Sequence, residues 1–166
     1  MKDKFLCLLA TFDKETSIKI KKIESILNAE GFTGKQTPNL PPHITLAYFD
    51  IKKENKIKQL INNICSTTES FELTFNHIGL FGLKVLFLAP DFNYELLDLH
   101  KKFEKDSNRS SKGWTAHSTI LIDEPEVIQK ALPIVAQHFA KFNAKIERLS
   151  LYEFFPTRFI TECTLK

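Results

Sequence analysis

The stretch Pro41-Pro42-His43-Ile44-Thr45-Leu46-Ala47-Tyr48-Phe49, with its later counterpart His117-Ser118-Thr119-Ile120-Leu121-Ile122, governs the reading of this chain. Residues i and i+2 of a β-strand project from one face. Each H-x-T triplet therefore sets an imidazole beside a hydroxyl, while Ile44 and Leu46, or Ile120 and Ile122, turn to the opposite, buried face. Both triplets open a strand after an irregular loop. The first loop, Gly31 to Pro42, holds Gly31, Gly34, Pro38, Pro41 and Pro42, cannot carry regular structure and is a candidate lid. The second, Ser107 to Ala116, is Ser-rich and carries Arg109, Lys112 and Trp114.

Outward from these strands, Phe5 to Phe12 reads as a buried strand, and Asp13 caps a helix in which Ile20, Ile23 and Leu27 keep helical spacing until Gly31. Asp50 starts a second helix through Ile57, Leu60, Ile61 and Ile64, with Lys52, Lys53, Lys56 and Lys58 as its solvated face. Phe71, Leu73, Phe75 and His77 alternate with polar residues and turn at Phe81-Gly82-Leu83 into a partner strand, Lys84 to Ala89. A third helix is expected over Asn93 to Asp106. A fourth starts at Asp123 and Pro125 with Ile128, Ala131, Leu132, Val135 and Phe139 inward, and Pro133 should kink or split it. Phe142 to Phe155 and Arg158 to Leu165 close the chain as two strands joined at Pro156-Thr157.

The chain has 166 residues, a length that fits one domain, 1–166, and its 43% hydrophobic and 26% charged residues exclude disorder. A net charge of +3, from 23 basic and 20 acidic residues, suits a small phosphate-bearing ligand better than a long duplex. The apolar start Phe5 to Ala10 is too short for a signal peptide, and no apolar run reaches the roughly 20 residues of a membrane span. Cys7, Cys65 and Cys163 are odd in number and scattered, which supports neither a disulfide framework nor a zinc site, so a reduced, cytoplasmic setting is expected.

Cleaving a phosphodiester means taking a proton from water while giving one to the leaving alkoxide, duties that two imidazoles with ordinary values near 6.5 can share at neutral pH. A hydroxyl beside each imidazole can donate to the non-bridging oxygens, where charge builds up in the transition state. His43, Thr45, His117 and Thr119 would supply these groups with no metal and no cofactor, and either histidine can serve as the base. No D-x-D, H-x-x-x-H or H-E-x-x-H cluster, phosphate-binding Gly-rich loop, G-x-S-x-G elbow or Cys nucleophile motif is present.

At these residues the chain resembles the two-histidine (2H) phosphoesterases, which include bacterial 2'-5' RNA ligase-like proteins and RNA 2',3'-cyclic phosphodiesterases. The resemblance rests on Pro41-Pro42-His43-Ile44-Thr45-Leu46, on His117-Ser118-Thr119-Ile120-Leu121 after a gap of 74 positions, and on Phe71 to Phe87 with its Gly79-Leu80-Phe81 turn. It implies a bilobal, pseudo-symmetric α+β fold with two antiparallel sheets lining a central cleft and helices outside. It places His43, Thr45, His117 and Thr119 at the catalytic positions and implies an RNA end or a small cyclic or 2'-5' linked nucleotide as substrate. Members often carry Pro before the second histidine and an apolar residue after it, where this chain has Ala116 and Ser118.

Trp114 and Phe81 are the candidate substrate-binding aromatics, Trp114 as a base-stacking face or as a core plug. Lys84, Arg109, Lys112 and Arg158 are candidate phosphate partners, whereas His77, His100 and His138 read as structural. The alternatives are a non-catalytic RNA or nucleotide binding module with the same cleft, and a phosphodiesterase for cyclic oligonucleotide signals or ADP-ribose cyclic phosphate. A monomer with no obligatory protein partner and no membrane contact is expected.

Overall fold

A computed structural model describes residues 3–108 and 113–166; Arg109 and Lys112 lie outside the described residues. The first strand, β1 (Phe5–Phe12), is buried beyond Phe5 on both faces, which is why its sequence is apolar without alternation. Leu6, Leu8, Ala10 and Phe12 join the main core, while Cys7, Leu9 and Thr11 take the other face. Asp13 accepts from the Thr16 amide at 3.0 Å and so caps α1 (Lys14–Ala29), whose Ile20, Ile23 and Leu27 are buried. After β2 (His43–Phe49), Asp50 caps a single 3-10 turn that leads into α2 (Glu54–Thr67), where Ile57, Ile61, Ile64 and Cys65 face inward. The hairpin of β3 (Phe71–Phe81) and β4 (Val85–Pro90) leads to α3 (Tyr94–Glu104), capped by Asn93 on the Leu96 amide at 2.8 Å. Then come β5 (Ser118–Ile122), α4 (Pro125–His138), β6 (Phe142–Phe154) and β7 (Arg158–Thr164).

Two expectations need correction. Pro133 does not split α4: it sits on the exposed side of the helix, opposite buried Ile128, Ala131 and Val135, so the carbonyl it leaves unbonded faces water. His77 does not complete the alternation of β3. A register shift after Phe75 turns it outward, where its Nε2 meets Asp91 at 2.9 Å.

All strand pairings are antiparallel and give one sheet in the order β2-β1-β6-β3-β4-β5, with β7 also on β6. The α+β class is as expected, but the two sheets are joined along one strand. The 13 residues of β6 explain this: 146–154 pair with β1, 148–153 with β7, and 142–146 with β3. The His43 half thus comprises β2, β1, β7 and most of β6, and the His117 half comprises β3, β4 and β5. The H-x-T strands are the two ends of the strand order, and the sheet curls until β2 and β5 lie against each other. Phe49, Phe75 and Phe103 are fully buried beneath it, each contributing roughly 1.5–3 kcal/mol of apolar burial. Cys65 of α2 and Cys163 of β7 meet through an Sγ to carbonyl contact of 3.5 Å, and none of the three cysteines is in a disulfide among the described residues. No helix among the described residues is long and apolar enough to cross a membrane.

Candidate active site

The two H-x-T strands share a backbone device that their sequences do not announce. In β2, Leu8 pairs with Ala47 and Leu9 with Thr45, leaving Leu46 as an extra residue. In β5, Leu86 pairs with Leu121 and Phe87 with Thr119, leaving Ile120 extra. A bulge therefore follows the threonine in both strands and buries two consecutive residues, Leu46-Ala47 and Ile120-Leu121. Side chains after the bulge are re-aimed, so Tyr48 lies on the threonine face and Ile122, expected on the buried face with Ile120, is turned to the threonine face as well.

The imidazoles are held alike. His43 Nδ1 donates to the Pro41 carbonyl at 2.7 Å, and His117 Nδ1 donates to the Thr115 carbonyl at 2.7 Å. A carbonyl can only accept, so Nδ1 carries the proton in each ring and Nε2 is left for chemistry. Burial pushes both pKa values below the ordinary imidazole value. For His43 the charge of His117 lowers it further, and in each ring the carbonyl bond partly opposes the shift.

Two cavities meet here. One, of about 290 Å³, is lined by His43, Thr45, Thr119, Tyr48 and Pro41 among others. The other, of about 230 Å³, is lined by His117, Thr45, Tyr48, Phe81 and Trp114 among others. Thr45 and Tyr48 line both cavities, whereas His43 and Thr119 line only the first and His117 only the second. His117 packs edge-on to Phe81 at 4.8 Å and against Phe87 at 5.1 Å. Phe81 is 41% exposed and offers a free surface beside the imidazole. Gly79 makes this packing possible, since a Cβ there would lie 2.3 Å from the Phe87 ring.

Each H-x-T strand is braced by the segment that leads into the other. Trp114 Nε1 donates to the Thr45 carbonyl at 3.1 Å, and His100 Nδ1 to the Leu46 carbonyl at 2.8 Å, with the two rings stacked at 3.9 Å. The Asn108 amide and the Ser107 hydroxyl donate to the Tyr48 carbonyl. In return the Lys35 amide donates to the Ile122 carbonyl at 2.7 Å, Gln36 Oε1 accepts from the Ile122 amide at 3.2 Å, and Lys35 Nζ pairs with Asp123 and Glu124. Both strands are sheet edges, whose outward polar groups need partners, and these cross-braces supply them. The loop expected as a lid is thus pinned across the cleft. Trp114 is a wall of the second cavity and also a strap on β2.

The remaining candidates separate clearly. Arg158 is occupied by Glu54 and Glu153 at 2.7 and 2.6 Å. Lys84 is exposed and lines neither cavity. His138 bonds the Ile134 carbonyl one helical turn back. His100, read as structural, is buried and structural in a specific sense, as half of the strap on β2. Sequence reading missed Lys35, Gln36 and the bulges.

An edge-to-edge α+β sheet carrying an H-x-T strand at each end has the architecture of the two-histidine phosphoesterase class. The crystal structure of E. coli LigT complexed with 3'-AMP matches with TM-score 0.68 at 18% identity, covering 99% of each chain. That of TT0787 from Thermus thermophilus matches with TM-score 0.68 at 12% identity, covering 97% of each chain. The sequence model of the 2'-5' RNA ligase superfamily matches residues 12–154, and the chain belongs to that superfamily. No match is found among curated proteins.

Proposed function

We propose that the protein is a phosphodiesterase of the reversible 2'-5' RNA ligase type, acting on 2',3'-cyclic phosphate ends or on 2'-5' linked nucleotides. The observation that carries this reading is the pair of identically held imidazoles, each with Nδ1 on a carbonyl and Nε2 left over, lining adjoining cavities that share Thr45. One Nε2 takes a proton from water as the water oxygen bonds to phosphorus. The other gives its proton to the ribose oxygen as the P–O bond breaks, so the pair ends with its protons exchanged and no net change. Thr45 and Thr119 donate hydrogen bonds to the non-bridging oxygens. With a ribose 5'-hydroxyl in place of water, the same steps join a 2',3'-cyclic end to a second nucleotide as one ring P–O bond breaks, and their reverse cleaves the 2'-5' link. The E. coli relative has been solved with 3'-AMP and with ATP, which supports a nucleotide as the ligand here.

Incubation with 2',3'-cyclic mononucleotides, a cyclic-phosphate-ended oligonucleotide, a 2'-5' linked dinucleotide and a cyclic dinucleotide, all in excess chelator, tests the reading. Turnover of the first three at rates unaffected by chelator is the expected result. Turnover only of the cyclic dinucleotide would move the assignment to signal hydrolysis. Binding without turnover of any of them would leave a nucleotide-binding module and end the enzymatic proposal.

A further inference from the structure

The cavity that holds His43, Thr45 and Thr119 is also lined by four aromatic side chains, Phe5, Tyr48, Phe154 and Phe155, that belong to no part of the mechanism above. Phe5 and Phe154 face each other across β1 and β6, stacked at 5.4 Å with planes 3° apart. Tyr48 and Phe155 meet Phe5 edge-on at 5.6 and 5.8 Å. These rings are not a sealed core: Phe155 is 40% exposed, and the other three are half-buried. Phe155 also has a backbone φ of 67°, a conformation bulky side chains rarely adopt, at the turn where its ring packs back onto Phe5.

Tyr48 stands three residues beyond Thr45, about 10 Å along β2, on the same face because of the bulge. Phe5, Phe154 and Phe155 line the first cavity and not the second, so they lie on the side away from Phe81 and Trp114, with Tyr48, which lines both, at the boundary. Aromatic surfaces of this kind stack any base, since every base has a π-face.

We propose that Phe5, Tyr48, Phe154 and Phe155 form a second base-stacking subsite. It receives the nucleoside across the reacting phosphorus from the one beside Phe81, so that the preferred substrate carries a nucleoside on both sides of its phosphate. This rests on the phosphodiesterase reading above and adds to it where the second base goes, with little preference as to which base.

The test pairs two substrates with two readouts. Phe155→Leu keeps the apolar bulk and removes the π-face, and Phe155→Ala removes both. For a 2'-5' linked dinucleotide both variants should lose about tenfold in kcat/KM, mainly through KM, while a 2',3'-cyclic mononucleotide changes less than twofold. Equal losses on both substrates, or none on either, would overturn the subsite. The second readout needs no turnover: with 2-aminopurine placed in turn on each side of the phosphate, at least one dinucleotide should be quenched on mixing with the wild-type chain in a way that Phe155→Leu abolishes. Quenching from neither side, or quenching that Phe155→Leu leaves unchanged, refutes the subsite. Absence of turnover with quenching intact would instead strike the phosphodiesterase reading and leave the subsite standing.

Discussion

In the β2 half the residue between histidine and threonine is Ile44, sealed in the core, and buried Pro42 precedes the histidine; in the β5 half the same places hold Ser118 and Ala116. Ile44 joins the apolar cluster, whereas the Ser118 hydroxyl is fully buried with no hydrogen-bond partner among the described residues. The histidines differ in company too. His43 lies against the Pro41–Pro42 turn, and His117 against the rings of Phe81 and Phe87. Against that background, the bulge after each threonine and the Nδ1 bond to the carbonyl two residues earlier are common to both. What the halves share is backbone geometry around the reacting side chains; what they do not share is filling.

If the halves are equal partners in chemistry, His43→Ala and His117→Ala should each lower turnover by about 10²–10⁴, the range for a general acid or base, with the double variant little worse than either single one. A variant that keeps activity within tenfold of wild type would make one half an accessory.

The next largest effect is in pH dependence. Burial favours the neutral imidazole, so each ring releases its proton at a lower pH than a free histidine, and the two titrate as a coupled pair. Activity needs one ring protonated and one neutral. That population peaks between the two lowered values, so kcat/KM should be bell-shaped with its maximum on the acid side of about pH 6.5. The alkaline limb is loss of the acid and the acidic limb is loss of the base. A profile that stays flat from about pH 5 to 9, or that peaks above about 7, contradicts the shared-imidazole scheme.

Smaller effects separate the two fillings. In Gly79→Ala the new methyl must displace the Phe87 ring, and with it the wall behind His117. Turnover should fall about tenfold and stability by roughly 1–3 kcal/mol, the usual cost of overpacking, seen as a lower Tm. A fall in Tm with unchanged turnover would show that the wall does not position the imidazole. The smallest change expected is a gain. Ser118→Ala removes a buried hydroxyl that has no partner and should stabilise the chain by about 1 kcal/mol, or roughly 2–4 °C in Tm, with activity intact. A lower Tm would mean that the hydroxyl is satisfied in solution.

Much of this was legible in the chain before its structure. The apolar run of β1, the Asp13 cap and the alternation of each H-x-T triplet as far as Leu46 or Ile120 are local signals, written within a few residues. The bulges were not, because a bulge is a count of one strand against its neighbour and no single strand records it. The strap of Trp114 and His100 on Thr45 and Leu46 links residues 54 to 69 apart, and the two leave no periodic trace that would pair them. Phe5 and Phe155 read as ordinary core aromatics in a Phe-rich sequence; only their position at the open end of a cavity gives them another meaning. The joining of two sheets into one follows from β6 being longer than either neighbour needs, a comparison made only in three dimensions.

The long strand β6 has a consequence for any attempt to take the molecule apart. The half bearing His43 is drawn from two stretches far apart in the chain, residues 5–49 and 146–164, and residues 142–154 are stitched to strands of both halves. No single cut yields two self-sufficient fragments. A gene truncated before β6 would encode a His43 strand lacking most of its own sheet, so this architecture must be inherited, expressed and lost whole.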